Sequence, residues 1–452
     1  MYKFLLAIRY LLKRRLSYFC VLATALCVFV VFVVITVLSG LTAEFKTNTH
    51  NFVGDCVLDC ESMVGFPYYD EFIETLHNRD FIEGVSPLVR SYASILYGGE
   101  GGRRYSFTAS IVGILPERHN KVTGFADWLH YHSGKPQTAF YPAYNEKLSG
   151  CVPGIGMMLN RTQKGRYNPS ETLPRIEIEV GAFPLTAKGA LARGGAGDIN
   201  TKVFYYSDHF HSGLVNPDNN LIFLRLEDAQ KLCGMTIEPR RISAIHIKFA
   251  ENENLSQGCQ KLERLWNQFL EKKSGAKWAN LLEKVRVEDW KTHSRVIIAA
   301  VETEQILMMV VFAMLAIITV FVVFVVFWMI VSHKSKDIGI LKSLGVSSAS
   351  VMAMFMLFAL LTGIIGCILG ALAGWQFLVH INDIEAWFYR NFGFQLWNRA
   401  IYAIGDIPNA IDTGVLAAIC AAALTACLLG AIVPSYKAAG MRPVESLQVT
   451  QI

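Results

Sequence analysis

Ser332 to Leu344, SHKSKDIGILKSL, followed by Gly345, Val346 and Ser347, separates two long apolar runs, and its reading decides the fold. It carries Lys334, Lys336 and Lys342 against a single acid, Asp337. Basic residues between closely spaced membrane spans mark the cytoplasmic side, because cytoplasmic loops hold the Lys/Arg excess. Ile338, Leu341 and Leu344 recur at a spacing of three, with Lys336, Asp337 and Lys342 elsewhere. That pattern predicts a short amphipathic helix held against the inner membrane surface. Such a loop is the expected place for an energy-supplying partner to meet the chain.

Working outward, hydrophobic residues make up 52% of the 452 positions and charged residues only 17%. With a mean hydropathy of +0.33, this balance indicates a membrane protein of more than one domain. The net charge of +5 is mild, and the basic residues sit beside apolar runs, so no nucleic acid partner is expected. Gly98 to Arg104, GGEGGRR, is rich in glycine but lacks the lysine and hydroxyl spacing of an ATP-binding P-loop. Cys20, Cys27, Cys367, Cys420 and Cys427 fall in apolar runs, where cysteine acts as a small hydrophobe. Cys56, Cys60, Cys151, Cys233 and Cys259 lie in the large middle region without a framework-like spacing. Cys56 and Cys60 on one strand face would stand roughly 13 Å apart, too far to pair. A disulfide elsewhere stays open.

Residues 1–15 are basic and amphipathic, and place the N-terminus in the cytoplasm. The uncharged run 16–43 exceeds the ~20 residues a span needs. It could be a cleavable signal peptide, but its length and the lack of a clean small-x-small site favour a retained anchor. Residues 44–304 read as an external, mixed α+β domain. Strands are expected at Asp55–Cys60, Ser91–Leu96, Ser106–Ile114, Arg175–Val180, Leu221–Leu224 and Ala244–Phe249. Helices are expected at Tyr69–Asn78, Glu227–Cys233 and Leu255–Lys272, and a long loop or protruding hairpin at 160–200. Spans follow at 305–332, 349–379 and 413–436, separated by the cytoplasmic loop 333–348 and an external polar loop, 380–412, that has no lysine. Residues 437–452 form a cytoplasmic tail. The expected fold is therefore membrane α-helical, four transmembrane helices arranged 1+3, with a large α+β extracytoplasmic domain inserted between the first two.

The spans contain no Asp, Glu, Lys, Arg or His, which argues against a proton-coupled carrier or a channel. Gly363, Gly366, Gly370 and Gly374 in the third span let helix backbones approach closely, either within the chain or across a dimer seam. Asp208, His209 and His211 in SDHFHSG, and His130 and His132 in LHYH, have a ligand-like look. They are read as solvated loop residues, and no metal is expected. No nucleophile elbow, HExxH or paired-carboxylate arrangement stands out, so no catalytic residue and no cofactor is assigned to this chain.

Several segments together resemble a known family. They are Val37 to Leu41 with Phe45, Ile111 to Pro116, Asn219 to Gln230 (NNLIFLRLEDAQ) and Asp289-Trp290 through Glu304. HKSKDIGILKSLGVSSASV, Pro434 to Ala439 and Arg442 to Leu447 complete the set. The chain resembles the permease subunits of the lipoprotein-releasing (LolC/LolE) ABC transporters, within the MacB and FtsX-like group. That resemblance implies a multi-pass protein of the cell inner membrane with both termini cytoplasmic. It implies an ABC ATPase dimer that binds ATP and Mg, a second or sister permease, a lipoprotein substrate and a periplasmic carrier. Lys334, Lys336, Asp337, Ile338, Leu341, Lys342 and Gly345 would then be the ATPase-coupling loop. MacB-like export of another substrate, or FtsX-like mechanical regulation of a cell-wall hydrolase, are the alternatives. A membrane-anchored zinc hydrolase built on Asp208, His209 and His211 is a third class.

Overall fold

The computed structural model describes residues 15–77, 79–98, 104–160, 167–192, 199–393 and 406–442. The basic segment 1–14, the glycine-rich run 99–103, residues 161–166 and 193–198 of the expected loop, Arg399 and the motif at 443–447 lie outside the described residues.

In chain order the elements begin with helix α1 (Arg15–Val53), strands β1 (Cys56–Cys60) and β2 (Phe66–Pro67), α2 (Tyr69–His77), β3 (Ile82–Gly98) and β4 (Arg104–Ile114). They continue with α3 (Pro116–Val122), β5 (Gly150–Pro153), β6 (Glu177–Ala182), β7 (Asn200–Tyr206), β8 (Leu221–Arg225) and α4 (Leu226–Leu232). Next come β9 (Arg241–Ile242), β10 (Ala244–Phe249), α5 (Leu255–Lys273) and β11 (Val285–Asp289). The chain then turns helical, with α6 (Arg295–His333), α7 (Ser335–Ser343), α8 (Ser348–Val379), α9 (Ile381–Phe392) and α10 (Thr413–Gly440). Helices α1, α6, α8 and α10 are long and apolar enough to cross a membrane, and the sheet-rich region lies between the first two. The described residues divide into two units, one of 15–43, 300–393 and 406–442, the other within 44–299.

The sheet unit is built on a nine-stranded sheet in the order β11-β1-β10-β3-β4-β8-β5-β7-β6. Strand β3 is long enough to serve two partners. Its first half, from Ile82 to Leu88, pairs with β10, and its second, from Ala93 to Tyr97, pairs with β6. Strands β3, β4, β8, β5, β7 and β6 therefore close into a ring of pairings. Within 160–200 the strand expected at Arg175–Val180 stands at Glu177–Ala182, so that part is neither loop nor protrusion. Glu177–Ala182 is a sheet strand bonded on both edges, with Ile178, Val180 and Ala182 buried. The alternation EIEVGA supplies that buried face.

Period-two alternation also sorts the two faces of the sheet. Cys56, Leu58, Val85, Val89, Ile111 and Ile245 enter a core with Phe72 of α2, Leu232 of α4, and Leu262 and Trp266 of α5. Val57, Leu88, Val112 and Ala244 enter the opposite core, with Phe125, Phe140, Phe210 and Phe223. Helix α5 starts where the Asn254 side chain accepts the Ser256 N–H, and it buries Leu262, Trp266 and Phe269 on one stripe.

The second face also holds two buried histidines. His246 stands opposite Ser86 and Val57 in the register, and His119 hydrogen-bonds Ser86 Oγ through Nδ1 at 3.1 Å. Burial pushes the His119 imidazole down to about 3. Burial, then the neighbouring His119, His293 and Arg90, push His246 well below its ordinary value. A histidine whose folded value is depressed takes up its proton in the unfolded chain first. Its contribution is full above the unfolded pKa and is lost as the pH falls from there toward the folded value. His119 alone is expected to remove on the order of 3 kcal/mol from the sheet unit by pH 4. Urea unfolding of the full chain, followed by hydrogen exchange in β3 and β10 between pH 7 and pH 4, measures this. His119→Phe combined with Ser86→Ala should lose about one proton's worth of the slope.

Candidate functional site

The segment between α6 and α8 folds as the short helix α7, with Asp337 in its first turn and Lys342 in its last, the arrangement the helix dipole favours. Gly345 ends it with φ +90°, a left-handed conformation that glycine adopts without cost. Ser347 then caps α8 by accepting the Ser350 N–H.

Two faces of α7 have opposite environments. Ile338 and Gly339 are buried and Leu341 is half-buried, the apolar pair in a cluster with Phe327, Ile330, Met354, Phe355 and Ala438. Lys342 is also tied inward. Its Nζ donates to the carbonyls of Ala439 at 2.7 Å and Met441 at 2.8 Å, at the C-terminal end of α10. There it satisfies carbonyls that have no helical partner and meets the negative end of the dipole. Lys334 and Asp337 form an ion pair with each other. The outward face is Lys336, Ile340 and Leu344, with Ile340 49% and Leu344 77% exposed.

Sequence spacing placed Leu344 with Ile338 and Leu341, and the structure corrects this. Steps of three fall 60° short of a full turn each, so two steps carry Leu344 about 120° around from Ile338. Leu344 is moreover the residue after the last helical one. Residues 336, 340 and 344, four apart, define the surface that is free, and that spacing was present in the sequence.

The glycines of α8 pack within the chain. A Cβ at Gly366 would lie 2.7 Å from Thr24 Cβ, at Gly370 2.5 Å from the Ala25 carbonyl oxygen, and at Gly374 2.6 Å from Phe32 Cδ1. All three contacts are to α1. Gly363 instead meets Leu424 of α10 at 2.9 Å. Sequence reasoning missed Gly430 of α10, where a Cβ would stand 2.6 Å from the Val320 carbonyl of α6. A single glycine gives no repeat to notice. Helices α1, α6 and α10 also line an apolar groove of about 420 Å³, walled by Val28, Val31, Phe312, Ala316, Ile419 and Ala423 among others.

The solvated reading holds for His211 and His130, which are exposed, but not for Asp208, His209 and His132, which are buried. Asp208 is fully buried, and its Oδ1 accepts the backbone N–H groups of His130, Tyr131 and His209. Oδ2 accepts the His132 N–H at 2.7 Å and faces His132 Nδ1 at 3.2 Å. His209 is buried with Nδ1 on Tyr206 Oη at 2.6 Å, and His211 pairs with Asp218 at 2.8 Å. The carboxylate oxygens are spent on amides and one imidazole. Among the described residues no group of three or more His, Cys, Asp or Glu is placed to hold a metal ion.

Comparison with known proteins agrees with this geometry. Residues 309–443 match the FtsX-like permease C-terminal family. The chain is 23% identical to the lipoprotein-releasing system transmembrane protein LolC of Neisseria meningitidis serogroup B over 438 residues, 94% of this chain and 92% of that one. It is 22% identical to LolC of Xylella fastidiosa strain 9a5c, over 98% of both chains. The periplasmic region of MacB from Actinobacillus actinomycetemcomitans aligns with 55% of this chain and 95% of its own, at 13% identity and a TM-score of 0.29. Residues 309–443, from within α6 to just past α10, thus carry an FtsX-like permease domain, and together with the LolC relatives this supports an ABC transporter permease. Along nearly its whole length the chain is similar to LolC proteins, at 22–23% identity.

Proposed function

We propose that this chain is a non-catalytic permease subunit that releases lipoproteins from the inner membrane toward a periplasmic carrier. ATP and Mg act in a separate cytoplasmic ABC ATPase dimer, and a second copy or a sister permease completes the transporter. The carrying observation is the two-sided α7. Its outer stripe, Lys336, Ile340 and Leu344, offers an apolar contact ringed by polar groups. Its inner side is fastened to α10 by Lys342 and to the helix cluster by Ile338. A push on the outer stripe is thus delivered to packed helices, and closely packed interfaces shift between discrete arrangements. The apolar groove of α1, α6 and α10 supports a substrate that carries acyl chains. Both chain ends lie in the cytoplasm on this reading, following the lysines of the α7 segment.

The test is affinity purification of the full chain in mild detergent, with ATPase activity measured in the eluate. Ile340→Asp combined with Leu344→Asp should lower the copurifying activity about tenfold, since central apolar anchors dominate an interface. The melting temperature should not change, because both side chains are exposed. Acylated proteins in the wild-type eluate support the lipoprotein branch. Undiminished ATPase in the double variant removes α7 as the docking element.

A further inference from the structure

Helix α9 follows α8 after a single residue, His380, and the protein covers only its first turns. Ile381 is buried against Val37 and Leu41 of α1, Phe377 of α8 and Ile407. Asn382 fixes that turn, its Oδ1 accepting the Ile407 N–H at 2.8 Å and its Nδ2 donating to the Ile407 carbonyl at 3.3 Å. At about 100° per residue, Phe388 and Phe392 fall within roughly 20° of Ile381, so one apolar stripe runs the length of the helix. Past the first turns it is bare. Phe388, Phe392 and the adjoining Trp387 form a cluster with ring centroids 5.2, 5.7 and 5.8 Å apart. Trp387 is 50% and Phe392 66% exposed. Asp383, Ala386 and Arg390 are exposed on the opposite side.

What covers the stripe follows from where α8 delivers it. Helix α8 has 32 residues, about 48 Å at 1.5 Å each, close to the roughly 40–45 Å of a bilayer with its headgroup layers. Ile368, Leu372, Trp375 and Val379 are exposed along it to its last residue, the surface that a span offers to lipid. Helix α9 therefore starts at headgroup level, on the membrane side away from α7. We infer that α9 lies in the plane of that interface, with Phe388, Phe392 and Trp387 set into the boundary between headgroups and acyl chains. The partner of this face is the lipid bilayer. Aromatic rings collect at that depth, and an amphipathic helix sinks its apolar side about 5–10 Å into the boundary. Asp383 and Arg390 then face water. Asn382 on Ile407, and Asn409 donating to the Leu378 carbonyl at 3.3 Å, hold the helix so that it anchors the connection between α8 and α10 at a set depth. The inference rests on the membrane reading of α8 and not on the lipoprotein substrate.

The test uses the full chain in vesicles of phosphatidylethanolamine and phosphatidylglycerol. The photoreactive residue p-benzoylphenylalanine replaces Phe388, Phe392, Ala386 or Leu372 in separate variants, and the irradiated chain is digested and read by mass spectrometry. Leu372, exposed on α8, is the reference for a position inside the membrane. Acyl-chain adducts from Phe388 and Phe392 positions should approach those from Leu372 and exceed those from Ala386 on the order of tenfold, since the opposite side meets water. The wild type supplies a measurement free of substitutions. Hydroxyl radicals generated by radiolysis should oxidise Tyr92, exposed on the sheet unit, and spare Trp387 and Phe392. Crosslinks from the Phe388 or Phe392 position to a second copy or to the same chain, in place of lipid, overturn the assignment. Equal adducts from Ala386, or oxidation of Trp387 to the level of Tyr92, overturn it too. Adducts from Leu372 alone overturn only the placement of α9, whereas none from Leu372 takes α8 out of the membrane and the inference with it.

Discussion

Leucine at position 370 is expected to separate α8 from α1 and lower the melting temperature of the detergent-solubilised chain by about 6–12 °C. The β-carbon alone would come 2.5 Å from the Ala25 carbonyl oxygen and 2.9 Å from Val28 Cβ. A backbone oxygen inside a helix cannot rotate out of the way, so the whole of α8 must move back. The retreat also costs the close contacts of Gly366 with Thr24 and of Gly374 with Phe32, one turn to either side. In a bilayer nothing replaces them, since lipid tails are as apolar as the side chains and helices associate through packing. Overpacking typically costs 1–3 kcal/mol, and the shared retreat puts this case at about 3 kcal/mol or more. Gly370→Ala should show the same change at smaller size. If Gly370→Leu melts like the wild type and only loses a dimer on size-exclusion chromatography, the stripe belongs to an intermolecular seam.

The four long helices were legible because uninterrupted apolar length is a property of composition alone. Helix α5 was legible too, because Leu262, Trp266 and Phe269 repeat with the helical period and bury on one stripe. What the sequence hid depended on contacts made far along the chain. SDHFHSG reads as surface because its letters are polar, yet Asp208 is buried by a segment 76 to 78 residues away. Lys342 looked like a docking charge because nothing local indicates that the end of α10, 97 residues on, comes within its reach. Leu344 was misplaced by a spacing rule that holds for one turn and drifts over two. For Asp208 and Lys342 the facing neighbour could not be read from the sequence, whereas for Leu344 the period itself was misjudged.

Asp208→Ala is expected to destabilise the sheet unit by on the order of 4–6 kcal/mol. It strands four backbone N–H groups at once, those of His132 and His209 in buried bonds and those of His130 and Tyr131 in part-buried ones. Each unpartnered buried donor costs about 1–3 kcal/mol, and hydrogen bonds to a charged acceptor are the stronger kind. Asp208→Asn separates acceptor geometry from charge. With its carbonyl at the Oδ1 position it still accepts three of the four N–H groups, while its NH2 faces the His132 N–H, so about 2 kcal/mol is expected. The charged acid adds a pH signature. Burial alone would raise the Asp208 carboxyl, but the His132 side chain and the N–H groups of Tyr131, His132 and His209 outweigh it and hold the carboxyl below its ordinary value. Its contribution is therefore present above the unfolded carboxylate value and lost as the pH falls through the lower folded one. The Asp208 loss begins only below the unfolded carboxylate value, whereas the His119 loss begins already below the unfolded imidazole value, so the two effects set in at different pH on one titration. Hydrogen exchange of the 129–132 peptide in the full chain is the readout. Rapid exchange in Asp208→Ala with intermediate exchange in Asp208→Asn is the expected order. Equal protection in all three would show that water, and not this carboxylate, satisfies the loop.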